Sequence, residues 1–206
     1  MIDRIIREFD QALRTVFAPA STLRPIPGTD LPEADMDDVQ RRHTAAMMRV
    51  NHCGEICAQA LYQGQALTSR DASIKQALRQ AAQEETEHLA WTESRIAELG
   101  GRKSFLNPLW YGGALAMGVI AGKFGDAWNL GFLAETEKQV EAHLEDHKTR
   151  LPHEDRRSWE ILEQMRIDEK SHADTAVRLG AQELPAPVKL AMRLTSKVMT
   201  KAAYYV

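Results

Sequence analysis

The sequence predicts an all-α fold, a four-helix bundle carrying additional amphipathic and apolar helices. Three observations predict it. Apolar residues recur at steps of three and four over most of the 206 residues. No run alternates apolar and polar residues as a half-buried strand does. A Glu-x-x-His pair, Glu85 and His88, returns as Glu169 and His172, and positions three apart share one face of a helix.

The elements follow in order. Residues 1–18 form an N-terminal amphipathic helix with Ile2, Ile5, Ile6, Phe9, Leu13, Val16 and Phe17 on one side. Capping of the bundle is its expected role, with a membrane surface as the alternative. Pro19, Pro25, Pro27, Gly28 and Pro32 make 19–36 a linker. The acidic run Asp35, Asp37, Asp38 suits the N-terminus of a helix from about Asp37 to Leu67. A turn at Ser69–Asp71 leads to a second helix that stops at Gly100-Gly101. Residues 105–134 are an apolar insert, expected to face a membrane or to be buried. Its purely apolar part, Leu109 to Gly122, has 14 residues, fewer than the roughly 20 that span a bilayer. A third helix ends at Leu151 before Pro152, and a fourth runs from about Glu154 to Leu179 before Gly180. The tail from Pro187 to Tyr205 is amphipathic, with Lys189, Arg193, Lys197 and Lys201 on a basic face suited to anionic headgroups.

The chemistry lies in the phase of the acidic residues. Steps of three and four from Ala81 land on Glu85, His88 and Thr92, and from Met165 on Glu169, His172 and Ala176, so both pairs sit inside the buried stripes. Glu55 shares a face with Met47, Val50, Asn51, Ala58, Leu61 and Tyr62. Glu137 shares one with Leu130, Leu133, Val140 and Leu144. Buried carboxylates need positive charge, and no lysine or arginine is expected to share these stripes, so a cation must come from elsewhere. Glu55 and Glu85 lie 30 residues apart and Glu137 and Glu169 lie 32 apart, which suits two antiparallel helix pairs with their ligands at one height. Two divalent cations would cancel the four carboxylates, and oxygen with imidazole suits iron or manganese. This ligand plan, Glu55, Glu85, His88, Glu137, Glu169 and His172, is that of ferritin-like bundles. The whole chain, 1–206, reads as one such domain.

Composition narrows the alternatives. A net charge of −3 argues against nucleic-acid binding. Cys53 and Cys57, the only cysteines, read as reduced core residues. The start Met1-Ile2-Asp3-Arg4 lacks an apolar signal region, so a cytoplasmic location is expected. No glycine-rich phosphate loop and no Gly-x-Ser-x-Gly elbow is present.

Asn51-His52-Cys53-Gly54-Glu55, the Glu85/His88 pair, Ala134-Glu135-Thr136-Glu137 and Asp168-Glu169-Lys170-Ser171-His172 together resemble the flavin-independent demethoxyubiquinol hydroxylases of ubiquinone biosynthesis. The resemblance covers about residues 40–205. It implies a di-iron monooxygenase that hydroxylates the ring of a polyprenylated demethoxy-benzoquinol with O2, with two iron ions as cofactor and NADH as electron donor. It implies that Glu85 and Glu169 bridge the irons, with Glu55 and His88 completing one and Glu137 and His172 the other. No catalytic residue beyond these ligands is expected. The resemblance further implies peripheral attachment to the cytoplasmic face of the cell membrane, which tips 105–134 toward lipid, and is compatible with a homo-oligomer or a complex of biosynthetic proteins. The family places a histidine and then a tyrosine one turn beyond the third glutamate. Here His143 matches and Leu144 does not, leaving His143 as a candidate pocket residue. Asp168 and Glu84 stand where they could orient the imidazoles, although an exposed carboxylate is the expected reading for Glu84. A ferroxidase or iron-storage protein shares the ligand set and is the alternative function. The apolar insert speaks against it, and the Cys-x-x-Cys pairs of a rubrerythrin-like peroxidase are absent. A non-enzymatic membrane-surface protein would leave the buried carboxylates unexplained.

Overall fold

The longest helix begins where Asp37 makes a reciprocal cap. Its carboxylate accepts from the N–H groups of Val39 and Gln40, and the Gln40 side chain accepts from the Asp37 N–H. The computed structural model describes residues 2–206, without the side chains of Arg4 and Ile5, so Met1 and the place of Ile5 in its expected stripe lie outside the described residues. In chain order the helices are α1 (Ile2–Phe17), α2 (Asp38–Thr68), α3 (Ala72–Glu98), α4 (Asn107–Lys123), α5 (Asp126–Arg150), α6 (Arg156–Arg178) and α7 (Ala186–Tyr205). No strand occurs among the described residues, as the all-α expectation required. Gly100 at φ 68° and Gly180 at φ 98° close α3 and α6 in the left-handed conformation that glycine adopts without strain. The stretch 105–134 is not one element. Gly125 at φ 104° divides it, and its last nine residues open α5.

The bundle consists of two antiparallel pairs, α2 with α3 and α5 with α6. Helix α4 connects them by running alongside α2 in the same direction. Gly64 of α2 faces Leu115 and Gly118, while Gly118 and Gly122 of α4 face Leu61 and Thr68. A Cβ on Gly118 would run into the Leu61 carbonyl, so these helices touch backbone to backbone. The chain is thereby carried back along the bundle before α5 descends, giving the one long crossover of ferritin-like bundles. None of the helices is long and apolar enough to cross a membrane.

Two apolar layers fill the interior. One contains Met48, Trp91, Ile96, Leu144, Ile161, Leu162 and Met165. The other contains Leu61, Tyr62, Leu78, Leu130, Leu133 and Ala176. The six residues singled out by sequence phase lie between the two along every helix. The groove between α3 and α6 is covered by the Pro-rich strap, residues 18–37. Glu87 accepts from the backbone N–H groups of Leu23 and Arg24 and from the Thr22 hydroxyl. Farther along, Glu33 grips Arg95 with both oxygens, at 2.7 and 2.8 Å. That Arg95 bond, with Arg157 beside it, holds the Glu33 carboxyl down at about 2. Arg95 corrects one expectation. It does share the buried stripe of α3 and is 1% exposed, but it also meets Asp155 at 2.9 Å and so neutralises the strap and α6.

Helix α1 buries little of its apolar stripe, against the capping expectation. Ala12 and Val16 pack inward, while Ile2, Ile6, Phe9, Leu13 and Phe17 stay exposed.

Two outcomes follow from this packing. Gly118→Ala lowers stability by about 1–3 kcal/mol because neither backbone can move aside, whereas Gly112→Ala, where a Cβ meets nothing within 4 Å, is neutral or stabilising by about 0.5–1 kcal/mol; thermal melts of the two variants check this. The second concerns pH. Burial pulls the His52 imidazole down from 6.5 to about 3 and His143 down to about 4. The unfolded chain therefore takes up these protons first as pH falls. Their contribution to stability is complete above pH 6.5 and is lost between 6.5 and about 3, at up to ~1.4 kcal/mol per pH unit for each group. Urea unfolding across this range should show the decline, with a shallower slope in His52→Asn.

Candidate metal centre

Each antiparallel pair contributes one Glu from its first helix and a Glu-x-x-His from its second, and all six side chains converge. Glu55, Glu85, His88, Glu137 and Glu169 are at most 2% exposed and His172 is 8% exposed. They form two groups that could each hold a metal ion. Glu55, Glu85, His88 and Glu169 make one, and Glu85, Glu137, Glu169 and His172 the other; within each group the ligand atoms lie within 4.8 Å of one another.

Glu85 and Glu169 belong to both groups, and each divides its oxygens between them. Glu85 turns Oε2 toward His88 Nδ1 at 2.9 Å and Oε1 toward His172 Nδ1 at 3.4 Å. Glu169 turns Oε1 toward His88 Nδ1 at 3.4 Å and Oε2 toward His172 Nδ1 at 3.5 Å. A carboxylate placed in this way can span two ions. Glu55 lies only on the His88 side, at 3.7 Å, and Glu137 only on the His172 side, at 3.7 Å.

Both imidazoles present Nδ1 to the cluster and use Nε2 outward. His88 Nε2 meets Asp168 Oδ2 at 3.0 Å, and His172 Nε2 meets Glu84 Oε2 at 2.7 Å. A proton on Nε2 donated to the carboxylate leaves the Nδ1 lone pair free for a cation. The positioning expected of Asp168 is present. Glu84 is not the free surface carboxylate expected from its place in the sequence, because His172 crosses from α6 to bond it. Arg24 of the strap reaches Asp168 at 2.8 Å and lies over the Trp91 ring. Burial would raise Asp168, but the bonds from His88 and Arg24 bring it down to about 2.

The proton affinities show a site built around missing positive charge. Burial, and then the neighbouring Glu85 charge, push Glu55 well above the carboxylate range; burial and Glu169 do the same to Glu137. Glu85 and Glu169 stay low despite burial because both imidazoles lie against them. Burial would lower His88 and His172, yet the surrounding carboxylates hold both well above the imidazole range. Both sets of shifts mark a cluster short of positive charge. Several of its buried atoms still have no hydrogen-bond partner: Glu85 Oε1, Glu137 Oε2, Glu169 Oε2 and His172 Nδ1. Buried polar atoms are ordinarily paired, and all of these are donor atoms for a hard or borderline cation. The residues fit a pair of divalent ions.

Sequence reasoning missed the role of Tyr62. Its hydroxyl donates to Glu137 Oε1 from α2, and burial together with the Glu137 charge keeps it protonated. Its signal was its place on the Glu55 face, seven residues on. It also missed the strap, since no helical periodicity leads from Arg24 to Asp168.

Beside the cluster lies a cavity of about 500 Å³ between α2, α4, α5 and α7. Its walls are mainly apolar, from Val50, Leu61, Leu109, Trp110, Met117, Phe132, Val140 and Met199, and it reaches Glu55. His143 lines it, where the sequence suggested a pocket residue. Leu144 also lines it and is buried in the apolar layer. Cys57 lines the cavity, and Cys53 and Cys57 are free thiols as expected.

Residues 42–203 match the family model described as ubiquinone biosynthesis protein COQ7. The chain is 68% identical over 206 residues to the 3-demethoxyubiquinol 3-hydroxylase of Azoarcus sp. (strain BH72), covering all of both chains. It is 65% identical over 205 residues to the protein of that name from Nitrosomonas europaea, covering 100% of this chain and 99% of the other. To that from Dechloromonas aromatica it is 66% identical over 202 residues, 98% of each. A bundle that brings two Glu and two Glu-x-x-His motifs to one buried point, matched over most of its length in this way, belongs to the COQ7 family of ubiquinone biosynthesis proteins.

Proposed function

We propose that the chain is a 3-demethoxyubiquinol 3-hydroxylase whose six convergent residues hold two iron ions, with O2 as oxidant and NADH as the source of electrons. The observation that carries this reading is the meeting of a two-cation ligand cluster with an apolar cavity large enough for a quinol ring and the first part of a prenyl chain. The relatives' shared name supplies the substrate class.

Held by Glu55, Glu85, His88, Glu137, Glu169 and His172, two irons would supply the reductive activation of dioxygen needed to place one oxygen atom on the ring. The chain's own residues do the rest. Asp168 and Glu84 hold each imidazole with its Nδ1 lone pair inward. Tyr62 fixes one oxygen of Glu137. The apolar layers on either side keep water from the cluster, and the cavity holds the ring against Glu55.

The cavity mouth supports peripheral attachment to a membrane. Leu109 and Met117, which line it, are 63% and 39% exposed. Around them α4 and its flanks also expose Phe105, Ile120 and Phe124, and α7 exposes Leu190, Leu194 and Val198. Lys189, Arg193, Lys197 and Lys201 punctuate α7. Together with the outward stripe of α1 this forms an apolar surface larger than scattered exposed residues account for, suited to the cytoplasmic leaflet and its anionic lipids. A prenyl chain could pass from lipid into the cavity without crossing water.

Iron-loaded protein given reduced demethoxyquinol and a pulse of oxygen should yield a quinol heavier by one oxygen atom, and Glu169→Ala should abolish both this product and the second bound iron. Ferric iron accumulating beside unmodified quinol would mark the ferroxidase alternative instead. Glu84→Gln should retain the fold but weaken metal affinity about 10–100-fold, read by equilibrium dialysis. In flotation with vesicles rich in anionic lipid, the Leu190→Ser/Leu194→Ser double variant should lose most of its bound fraction at unchanged iron content; equal flotation would remove α7 from the membrane surface.

A further inference from the structure

One polar side chain in the cavity has no role in the cluster and no partner of its own. Asn51 lies four residues before Glu55 on α2, is 3% exposed and lines the cavity wall, yet neither Oδ1 nor Nδ2 makes a hydrogen bond. An amide buried without a partner is a cost that folded proteins seldom carry. Val50, Trp110 and Val140 line the same cavity, and Trp110 Nε1 and His143 Nε2 on its wall likewise have no hydrogen-bond partner. Of the six cluster residues only Glu55 lines this cavity, so whatever fills it meets the cluster from the Glu55 side, one helical turn from Asn51.

We propose that Asn51 is the hydrogen-bonding anchor of the substrate ring. This rests on the quinol reading above and adds the residue that positions the ring. A primary amide offers an acceptor and a donor side by side. A quinol hydroxyl with a methoxy oxygen on the adjacent carbon offers a donor and an acceptor at similar separation. The Asn51 carbonyl accepts the hydroxyl proton, and its N–H donates to the methoxy oxygen. With that edge held one turn away from Glu55, the ring can no longer rotate freely in its apolar slot, and one ring edge is directed at the cluster. The apolar walls supply affinity for the tail, and Asn51 supplies orientation.

The test separates hydrogen bonding from packing by using two ligands of similar shape. Anaerobic calorimetric titration of the iron-loaded protein compares a pentyl-substituted methoxyhydroquinone with pentylbenzene, in wild type and in the near-isosteric Asn51→Leu. The expected result is that Asn51→Leu loses at least about tenfold in affinity for the methoxyhydroquinone and keeps or gains affinity for pentylbenzene. Asn51→Ser, which is smaller and folds without filling the slot, should also lose affinity for the oxygenated ring. Unchanged binding of the methoxyhydroquinone in both variants, or an equal loss for both ligands, overturns the assignment of Asn51 alone. If wild type binds pentylbenzene but not the methoxyhydroquinone, the quinol reading of the cavity fails, and the anchor with it.

Discussion

Four carboxylates buried at one point constrain everything else in this fold. Ionised and unpaired, they would be prohibitively costly in an apolar interior. The structure surrounds them with two imidazoles and seals the space above and below with apolar layers. Those layers raise the penalty for leaving the site empty and also strengthen every attraction inside it. The same burial that drives protons onto Glu55 and Glu137 makes a pair of cations the better solution. Folding and metal capture thus share one electrostatic origin.

The two halves of the site are alike in their ligands and unlike in their support. His88 leans on Asp168, which is itself tied to Arg24, so this side ends in a compensated ion pair beneath the strap. His172 leans on Glu84, which is one-third exposed and, among the described residues, has no arginine behind it. The repeat that makes the bundle readable therefore stops at the ligand shell. The cavity adds to the inequality, because it touches the cluster only through Glu55.

How much of this was legible follows from how far each contact reaches along the chain. Helix positions and the six cluster residues are encoded locally, by steps of three and four and by spacings of 30 and 32 residues, and these reappear in space. Asp168 was legible for the same reason, standing beside Glu169. The bond to Glu84 was hidden because its partner lies 88 residues away on another helix. Arg24, 144 residues from Asp168, sits in a strap without periodicity. Arg95 shows the opposite failure, since it stood in the stripe in plain view and was passed over. The apolar run 105–134 concealed a boundary because apolar residues resume soon after Lys123 and Asp126, and the break falls between them at Gly125, which turns to a positive φ.

The strap bears on where this protein can be cut. The family model begins at residue 42, which would suggest that the preceding residues are an optional extension. Yet Glu33 holds the nearly inaccessible Arg95, Thr22 and the Leu23 and Arg24 amides occupy Glu87, and Arg24 supports the imidazole of His88 from behind. A fragment starting at the matched boundary would strand a buried guanidinium and uncover one wall of the metal pocket. The unit that must be inherited, expressed or transplanted intact is consequently longer than the stretch that the family model matches.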